Sequence, residues 1–383
     1  MKRSDSRILT THVGSLARPH DLLDAIKARE SGSQDGWAID ELVREAVTDV
    51  VRRQAEAGID IVTDGEQSKL GFFQYLVERF DGMESRPGRL ALAPSWQLEV
   101  EMFPEYYAEY LKKYSSDSGP TTANVMVCTG PISYAGQDAV ATDIENLKAA
   151  LDDVDVEEAF MPAPAPHEFG INEHYDSSEE YVLAIAEALR EEYRAILDAG
   201  LILQVDDPFL IDLLMEDREP AERRAIAQAH VEVVNHALRD LPTERVRLHT
   251  CYGINEGPRV YDAPLADLVE ILFTIEAGAF SFEAANPRHE HVCHLFESVT
   301  PPADSVLLPG VTSHATNIVE HPDTIADRIV RFAELVGRQN VVASADCGFS
   351  SPGHLHPGDP PRIVWARFEA LAQGARRATA RLW

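Results

Sequence analysis

His249 and Cys251, a histidine and a cysteine separated by one residue, offer two metal-binding atoms at one place in the chain. Residues two positions apart on a strand project to the same side, so both side chains can bind one ion. Glu283 and Cys347 end two later β-rich runs. One nitrogen, two sulfurs and one carboxylate form a tetrahedral set that suits zinc, and the thiolates disfavour magnesium or calcium. We therefore predict a zinc site formed by His249, Cys251, Glu283 and Cys347.

The elements that must position these residues alternate along the chain, since short β-rich runs are followed by longer amphipathic stretches. This alternation is typical of βα units. We predict eight strands, at 8–14, 59–63, 125–129, 201–205, 246–250, 279–283, 306–308 and 341–345. We predict helices at 40–57, 178–199, 221–240, 264–277 and 322–336, several of them ending at a glycine: Gly58, Gly200, Gly278 and Gly337.

The predicted fold class is α/β, a (β/α)8 TIM barrel with inserted segments that occupies residues 1–383 as one catalytic domain. A doubly wound open sheet is the alternative, but no GxGxxG motif follows the first strand. Segment 81–122 is rich in proline and aromatic residues and predicts a helical insertion over the barrel mouth or at a subunit contact. The apolar run at 159–166 is either a ninth strand or a loop, and 350–361 is a Pro/Gly-rich surface loop.

Active sites of such barrels lie at the carboxyl ends of the strands, and the predicted strand ends are polar here. They carry the four predicted zinc ligands together with Gly14-Ser15, Asp64-Gly65-Glu66, Thr129-Gly130-Pro131, Asp206-Asp207, Pro309-Gly310 and Asp346. A second histidine and cysteine group, His289, His291, Cys293 and His294, lacks the spacing of a tetrahedral site and indicates a solvated helix start. His12 is placed to line the pocket, and His354 and His356 to cap the mouth.

The motifs at these strand ends resemble the catalytic C-terminal domain of cobalamin-independent methionine synthase and its short relatives, which include epoxyalkane:coenzyme M transferase. The matching segments span nearly the whole chain: TTHVGSL at 10–16, DGE at 64–66, TGP at 129–131, QVDDP at 204–208, HTCY at 249–252, SFE at 281–283, PGV at 309–311 and DCG at 346–348. The resemblance implies the same four zinc ligands. It also implies that zinc holds a substrate thiol as the thiolate, which attacks an electrophilic carbon. Glu283 is then the ligand that dissociates from zinc when the thiol binds.

The resemblance also assigns residues to the substrates. Positions matching Gly14, Ser15, Glu66 and Asp206 hold the amino and carboxylate ends of homocysteine in methionine synthase, and two acids facing one ammonium suit an amino-acid thiol. The tryptophan platform for the pterin ring is not reproduced at 132–137, so the resemblance leaves the alkyl donor open among a folate, a methylated corrinoid (methylcobamide) and an epoxide. His314 lies about one place from the family's histidine that protonates the leaving group, and is the candidate general acid.

Three functions remain open at this point. The first is alkyl transfer, foremost methyl transfer, to a zinc-bound thiol such as homocysteine; its close variant is addition of a thiol such as coenzyme M to an epoxide, with His314 or Tyr134 as the acid. The second is a non-catalytic zinc-binding or thiol-binding barrel, because four protein ligands also complete a structural site. The third is a metal-free lyase similar to uroporphyrinogen decarboxylase, which would have no use for two cysteines and a histidine together.

Charge and composition limit which partners and which cellular compartment can be expected. The formal net charge of −30 would repel nucleic acid and anionic membranes, and favours solubility or a salt-adapted source. Four scattered cysteines do not form a disulfide framework, and residues 1–12 lack an apolar signal core. We expect a cytoplasmic enzyme whose partners are a small-molecule thiol and an alkyl donor, and a homo-oligomer is possible through the aromatic segment 96–114.

Overall fold

The computed structural model describes residues 1–30, 36–89, 92, 94–111, 122–215, 218–253, 256–350 and 360–383. Within them the strands are β1 (Leu9–Thr10), β2 (Ile61–Val62), β3 (Phe80–Arg89), β4 (Thr122–Tyr134), β5 (Glu158–Pro164), β6 (Ile171–Asn172), β7 (Ile202–Asp206), β8 (Val246–His249), β9 (Ala279–Phe282), β10 (Val306–Thr312) and β11 (Val342–Ala345). Eight of them form a parallel sheet in the order β1-β11-β10-β9-β8-β7-β5-β2.

This sheet nearly closes on itself, because Asp60 N–H donates to Thr10 O (3.1 Å) and the Thr11 hydroxyl donates to Ile61 O (2.9 Å) across the β1–β2 seam. Among the described residues the helices are α1 (His20–Glu30), α2 (Gly36–Ala57), α3 (Pro94–Met102), α4 (Pro104–Tyr110), α5 (Gln137–Leu151), α6 (Ser178–Asp198), α7 (Phe209–Met215), α8 (Pro220–Leu238), α9 (Leu265–Leu272), α10 (Pro322–Val336) and α11 (Pro361–Leu382). The predicted (β/α)8 fold is confirmed.

Glycines end three of the barrel helices as the sequence predicted. Gly58, Gly200 and Gly337 have φ values of 88°, 91° and 89°, in the left-handed region where a side chain is strained. Each glycine ends a helix of the outer layer and allows the chain to change direction toward the next strand. Gly278, the fourth predicted cap, is not among the residues with positive φ.

Apolar side chains fill the barrel below the mouth, as the packed interior of this fold requires. Leu9, Ile61, Phe160, Ile202, Ala279, Val306, Leu308 and Val342 form this inner cluster. Above it lies Arg247, fully buried, with its guanidinium 3.4 Å from the Phe160 ring centre. Its nitrogens donate to the Gln204 amide oxygen (2.7 Å) and to His12 O (2.6 Å), so these donors are satisfied and the side chain ties β8 to β7 and to the segment after β1.

One predicted barrel strand is wrong. The run 125–129 lies in β4, which pairs antiparallel with β3 and parallel with β6 in a separate three-stranded sheet. The strand between β2 and β7 is β5, from the apolar run at 159–166 that the sequence left undecided. Both runs are apolar, and Pro162 and Pro164 made the true strand look like a loop. Thr129, Gly130 and Pro131 therefore do not end a barrel strand.

The inserted segment 81–122 contains more than the predicted helices. It begins within strand β3 and continues through α3 and α4, while 112–121 lie outside the described residues. The helices cover the loop after β8, since the Tyr106 hydroxyl donates to Glu256 O (3.0 Å) and Val260 N–H donates to the Glu99 carboxylate (2.6 Å). Tyr107 and Tyr110 are buried within the chain, so much of the aromatic surface is used internally. The homo-oligomer stays a prediction.

Candidate active site

Three of the predicted zinc ligands meet at the carboxyl ends of β8 and β11. The donor atoms of His249, Cys251 and Cys347 all lie within 4.8 Å of one another, and the two sulfurs are 3.3 Å apart. Each residue is at most 5% exposed. The Nδ1 atom of His249 is 3.0 Å from the Ser281 hydroxyl, whereas Nε2 makes no hydrogen bond with any described residue. A buried, unpartnered imidazole nitrogen beside two sulfurs fits a thiophilic ion such as zinc.

The two cysteines differ in their protonation. The Cys347 thiol donates a hydrogen bond to Cys251 and, with the positive field of His249, lowers the pKa of Cys251 below its ordinary value. The same contact, together with burial, raises the pKa of Cys347. The contact between the sulfurs therefore favours the thiolate form of Cys251 and the thiol form of Cys347.

Glu283, the fourth predicted ligand, lies in a different group. Its carboxylate clusters with His314 and Asp346, whose ligand atoms lie within 4.8 Å of one another. Both of its oxygens are paired with the Arg259 guanidinium, at 2.9 and 3.1 Å. Burial opposes the charge of Glu283, but Arg259 outweighs it and the pKa of the carboxyl falls well below its usual range. The structure thus brings three predicted ligands together. The fourth, Glu283, lies beside them and is paired with Arg259.

Asp346, which sequence analysis noted only as a polar strand end, orients the loop after β9. Its carboxylate accepts the backbone N–H groups of Ala284, Ala285 and Asn286, each at 2.8 Å. A Cβ at Gly310 would lie 2.0 Å from Asp346 Oδ1, so only glycine fits there. Because Asp346 precedes Cys347, these bonds fix the cysteine relative to the strand end that carries Glu283.

Gly14, Glu66 and Asp206, three of the predicted substrate residues, lie together beside the cysteine cluster. A Cβ at Gly14, where φ is 147°, would stand 2.9 Å from Glu66 Oε1, so the glycine makes room for that carboxylate. The Gln204 amide nitrogen donates to Asp206 Oδ1 (2.7 Å). A Cβ at Gly14 would lie 3.9 Å from this nitrogen. Asp206 is the register partner of His249 on the neighbouring strand.

One oxygen of this buried acid pair has no hydrogen-bond partner among the described residues. Glu66 Oε2 makes no hydrogen bond with any described residue, although it is buried. Burial raises the pKa of Glu66 against the opposing charges of Lys69 and Arg18, and it raises the pKa of Asp206 to about 8 against the opposing charge of His249. An ammonium group bound between them would stabilise both carboxylates as anions. Glu66 also has φ 57°, an uncommon conformation for a residue with a side chain.

Ser15, the remaining predicted substrate residue, lies against the segment that follows Cys347. Its hydroxyl accepts the Ser350 N–H (3.2 Å) and its carbonyl accepts the Phe349 N–H (3.0 Å). This pairing connects the loop after β1 to the loop after β11. Ser15 thus helps to hold the wall between the acids and the cysteines.

His314, the candidate acid, lies in the Glu283 group at the end of β10. It is 2% exposed, and neither ring nitrogen makes a hydrogen bond with any described residue. Burial lowers the pKa of His314 to about 4, more than the nearby Glu283 raises it. The imidazole is therefore neutral at pH 7 in this state, with one nitrogen able to donate and the other to accept.

Other histidines fall where the sequence did not place them. His289, expected in a solvated helix start, is buried and bonds both Glu283 (3.2 Å) and Asp262 (3.2 Å). His12 is a core residue, packed on Phe368 and bonded to the Gln54 side chain (2.8 Å). The predicted mouth caps, His354 and His356, lie outside the described residues. The sequence carries no signal for Arg259, since this residue ends no predicted strand and belongs to none of the matched motifs.

An aromatic surface, which the sequence did not predict, lies over the ends of β2, β5 and β7. His167 stacks on Phe209 with ring centres 4.0 Å apart and planes 3° apart. Phe72 and Phe73 pack at its edge and, like these two, are only partly buried. The sheet order places this surface on the opposite arc of the barrel from β9, β10 and β11. We call these four residues the aromatic shelf.

Comparison with known proteins supports the resemblance seen in the motifs. Residues 168–354 match the family model described as the catalytic domain of the cobalamin-independent synthase. A methionine synthase of Sulfolobus acidocaldarius is 25% identical over 248 residues, which are 64% of this chain and 61% of that protein. A methionine synthase of Saccharolobus solfataricus is 25% identical over 344 residues, covering 88% of this chain and 87% of that one. The predicted family resemblance is confirmed.

A solved structure shares the fold. The B12-independent methionine synthase of Shewanella sp. W3-18-1, determined in complex with selenomethionine, superposes with a TM-score of 0.71 at 19% identity and covers 98% of this chain and 99% of that one. No helix in the described part of the chain is long and apolar enough to cross a bilayer.

Proposed function

We infer that this protein, whose residues 168–354 match the catalytic domain of the cobalamin-independent synthases, transfers a methyl group to the thiol of homocysteine or a similar amino-acid thiol. One observation carries the inference: a buried cluster of His249, Cys251 and Cys347 lies next to a buried pair of acids with an unpartnered oxygen. The first group suits a thiol-binding metal and the second suits an ammonium.

His249, Cys251 and Cys347 would hold zinc, with Glu283 as the exchangeable fourth ligand. When bound there, zinc supplies the positive charge that keeps a substrate thiol deprotonated at neutral pH. The protein's own contribution is to orient the ligands: Ser281 bonds His249 Nδ1 and so leaves Nε2 as the coordinating atom. Asp346 anchors the loop that carries Glu283.

Glu66 and Asp206 would bind the ammonium group of the substrate and so aim its sulfur at the cluster. Their raised pKa values mean that the empty pair resists carrying two negative charges, and the substrate's ammonium relieves that repulsion. A thiol that lacks an ammonium group gains nothing from the pair. This difference supports an amino-acid thiol over coenzyme M as the nucleophile.

The alkyl donor would approach from the other arc of the mouth, where the aromatic shelf offers a flat apolar surface. His314 would donate a proton to the departing group; because burial disfavours its charged form, the nearby negative charge of Glu283 is needed to support the imidazolium. The same unpartnered imidazole supports a second candidate, addition of a thiol to an epoxide, in which it protonates the opened oxygen.

The test is replacement of Cys251 and Cys347 by alanine, singly and together, with Cys128→Ala as the matched control. Cys128 is equally buried but lies in β4, in the separate sheet. We expect the first variants to lose bound zinc and methyl transfer to homocysteine together while they retain the circular dichroism of the barrel. The control should keep both. Methyl transfer at the wild-type rate without zinc would refute the proposal, and zinc binding without transfer to any thiol would favour a non-catalytic zinc protein.

A further inference from the structure

Resting on the function proposed above, we propose that Lys69 is a positioning residue for the substrate. Its buried ammonium is the second positive charge that lets the acid pair, Glu66 and Asp206, bind one substrate ammonium with both carboxylates ionised. Lys69 is 2% exposed and lies in the loop after β2, three residues beyond Glu66. It belongs to none of the motifs by which the chain resembles its relatives.

The Lys69 ammonium is buried without an ion pair. It donates to Pro162 O and lies 4.6 Å from the centre of the Tyr75 ring, and no carboxylate oxygen of a described residue lies within 4.0 Å of it. A buried ammonium without a carboxylate partner is costly, whereas a neutral side chain of similar length would fill the same space without that cost. The positive charge itself therefore needs a function.

Lys69 adjoins the acid pair through Pro162. The pairing of β5 with β2 ends at Ala159, so Pro162 lies beyond it, and there Lys69 connects the loop after β2 to β5. The Pro162 ring is 3.4 Å from the position that a Cβ at Gly14 would occupy, and Glu66 Oε1 is 2.9 Å from the same position. The Lys69 ammonium and the Glu66 carboxylate thus lie on either side of one residue.

The backbone of Lys69 helps to hold the turn that aims Glu66. Lys69 N–H donates to Glu66 O (3.1 Å), and the Arg18 guanidinium donates to the carbonyls of both residues. Glu66 has a φ of 57°, a conformation that persists only when its surroundings impose it. Because Lys69 and Glu66 share this turn, the ammonium is kept near the Glu66 carboxylate.

The positive charge of Lys69 acts on the acid pair. Burial raises the pKa of Glu66, and Lys69 is the strongest of the charges that oppose this rise. Burial also raises the pKa of Asp206, where His249 is the strongest opposing charge and Lys69 contributes in the same direction. Lys69 therefore favours the ionised form of both acids, which is the form that binds an ammonium.

Two other carboxylates near Lys69 have partners of their own. Glu192 forms an ion pair with Arg79 (3.1 Å). Asp64 accepts the Thr63 hydroxyl (3.1 Å) and a backbone N–H (2.9 Å). The acid pair lacks such partners, since Glu66 Oε2 makes no hydrogen bond with any described residue. The charge of Lys69 is thus available to the acids that face the substrate.

Two carboxylates that bind one ammonium need a second positive charge. Arg18 and Arg247, the other cations nearby, donate to backbone and neutral side-chain oxygens, so neither is a direct partner of the pair. Without Lys69, one acid takes up a proton or the complex keeps an uncompensated buried charge. Either outcome weakens the charge-assisted bonds to the substrate ammonium. A thiol that lacks an ammonium does not depend on these bonds.

The experiment is a double-mutant cycle on the zinc-loaded protein. Calorimetry measures the affinity for homocysteine of wild type, Lys69→Gln, Glu66→Gln and the double variant; glutamine keeps a neutral donor for Pro162 O. We expect each single change to weaken binding about 10- to 100-fold, the usual effect of losing a hydrogen bond to a charged group. The double variant has one carboxylate for one ammonium, so it should bind homocysteine more tightly than Lys69→Gln alone.

A second thiol separates the charge of Lys69 from its structural contacts. 4-Sulfanylbutanoate, which is homocysteine without its amino group, should bind Lys69→Gln and wild type with affinities that differ by less than about threefold. Lys69→Arg restores the charge and should bind homocysteine more tightly than Lys69→Gln. Lys69→Met repeats the comparison should the glutamine variant not fold. Lys148→Gln, at an exposed lysine of α5, is the matched control and should behave as wild type.

Losses that multiply in the double variant, or an equal loss for the two thiols in Lys69→Gln, would show that Lys69 only supports the fold and would overturn the inference. A zinc-loaded wild-type protein that binds neither thiol would instead refute the function on which the inference rests.

Discussion

Replacing Asp206 by asparagine should change how the stability of the metal-free protein depends on pH. Burial raises the pKa of Asp206 to about 8, whereas an aspartate in an unfolded chain titrates near pH ~3.9. The native state therefore holds a proton that the unfolded state has released. This contribution to stability is fully present below about pH 4 and is lost as the pH rises through 8. It amounts to about 1.4 kcal/mol at pH 7 and about 0.1 kcal/mol at pH 9, from RT ln(1 + 10^(pKa−pH)).

The asparagine variant carries no such proton, so its loss of stability between pH 7 and pH 9 should be smaller than that of wild type by about 1.3 kcal/mol. Equilibrium urea unfolding with a chelator present measures the free energy of unfolding of both proteins at both pH values. Comparing the two proteins cancels the groups far from Asp206 that titrate in this range. The exposed Asp198, at the end of α6, serves as control, and its asparagine variant should follow wild type. Equal pH dependence in wild type and Asp206→Asn would refute the claim that burial keeps Asp206 protonated at neutral pH.

Three further changes test the supporting contacts. Ser281→Ala removes the bond to His249 Nδ1 and should weaken zinc binding about 10- to 100-fold in a chelator competition, whereas an unchanged affinity would show that the ring needs no such anchor. Glu66→Gln should raise KM for homocysteine much more than for thiols without an ammonium group; equal losses in steady-state kinetics would mark Glu66 as structural. Gly310→Ala places a Cβ 2.0 Å from Asp346 Oδ1 and should cost about 1–3 kcal/mol in urea unfolding and lower the zinc content; a stable variant with full zinc content would contradict the anchoring role of Asp346.

The positions of His249, Cys251 and Cys347 could be predicted because, in a barrel, a residue's place relative to the strands in the sequence determines where it lies in the fold. A residue just past a β-rich run must lie at the mouth, and two such runs that are far apart in the chain meet there. His249 and Cys251 also share one side of their strand end, as their spacing requires. The prediction needed only the existence of the strands, not their exact bounds. Strongly amphipathic helices follow β8 and lie on both sides of β11.

The third barrel strand could not be predicted by the same reasoning. β4 and β5 are both apolar runs, and what separates them is the partner on either side, which is tertiary information. β4 finds β3, a strand in the segment whose prolines and tyrosines predicted helix. Local pattern identifies a strand but does not say which sheet it joins when two sheets are available.

For Glu283, the sequence predicted the position of the carboxylate but not its partner. Its residue type and strand-end position correctly predict that its carboxylate reaches the mouth, where it lies close to Tyr252, the neighbour of Cys251. Which cation it meets depends on Arg259, which lies on a loop held in an uncommon backbone conformation by a carboxylate from the insertion. A carboxylate has no intrinsic preference that makes it a metal ligand rather than the partner of a guanidinium, because both interactions use the same lone pairs. Whether the Glu283 carboxylate binds the metal or Arg259 depends on competition between these two cations. Of the two, only the metal site can be recognised from a motif in the sequence.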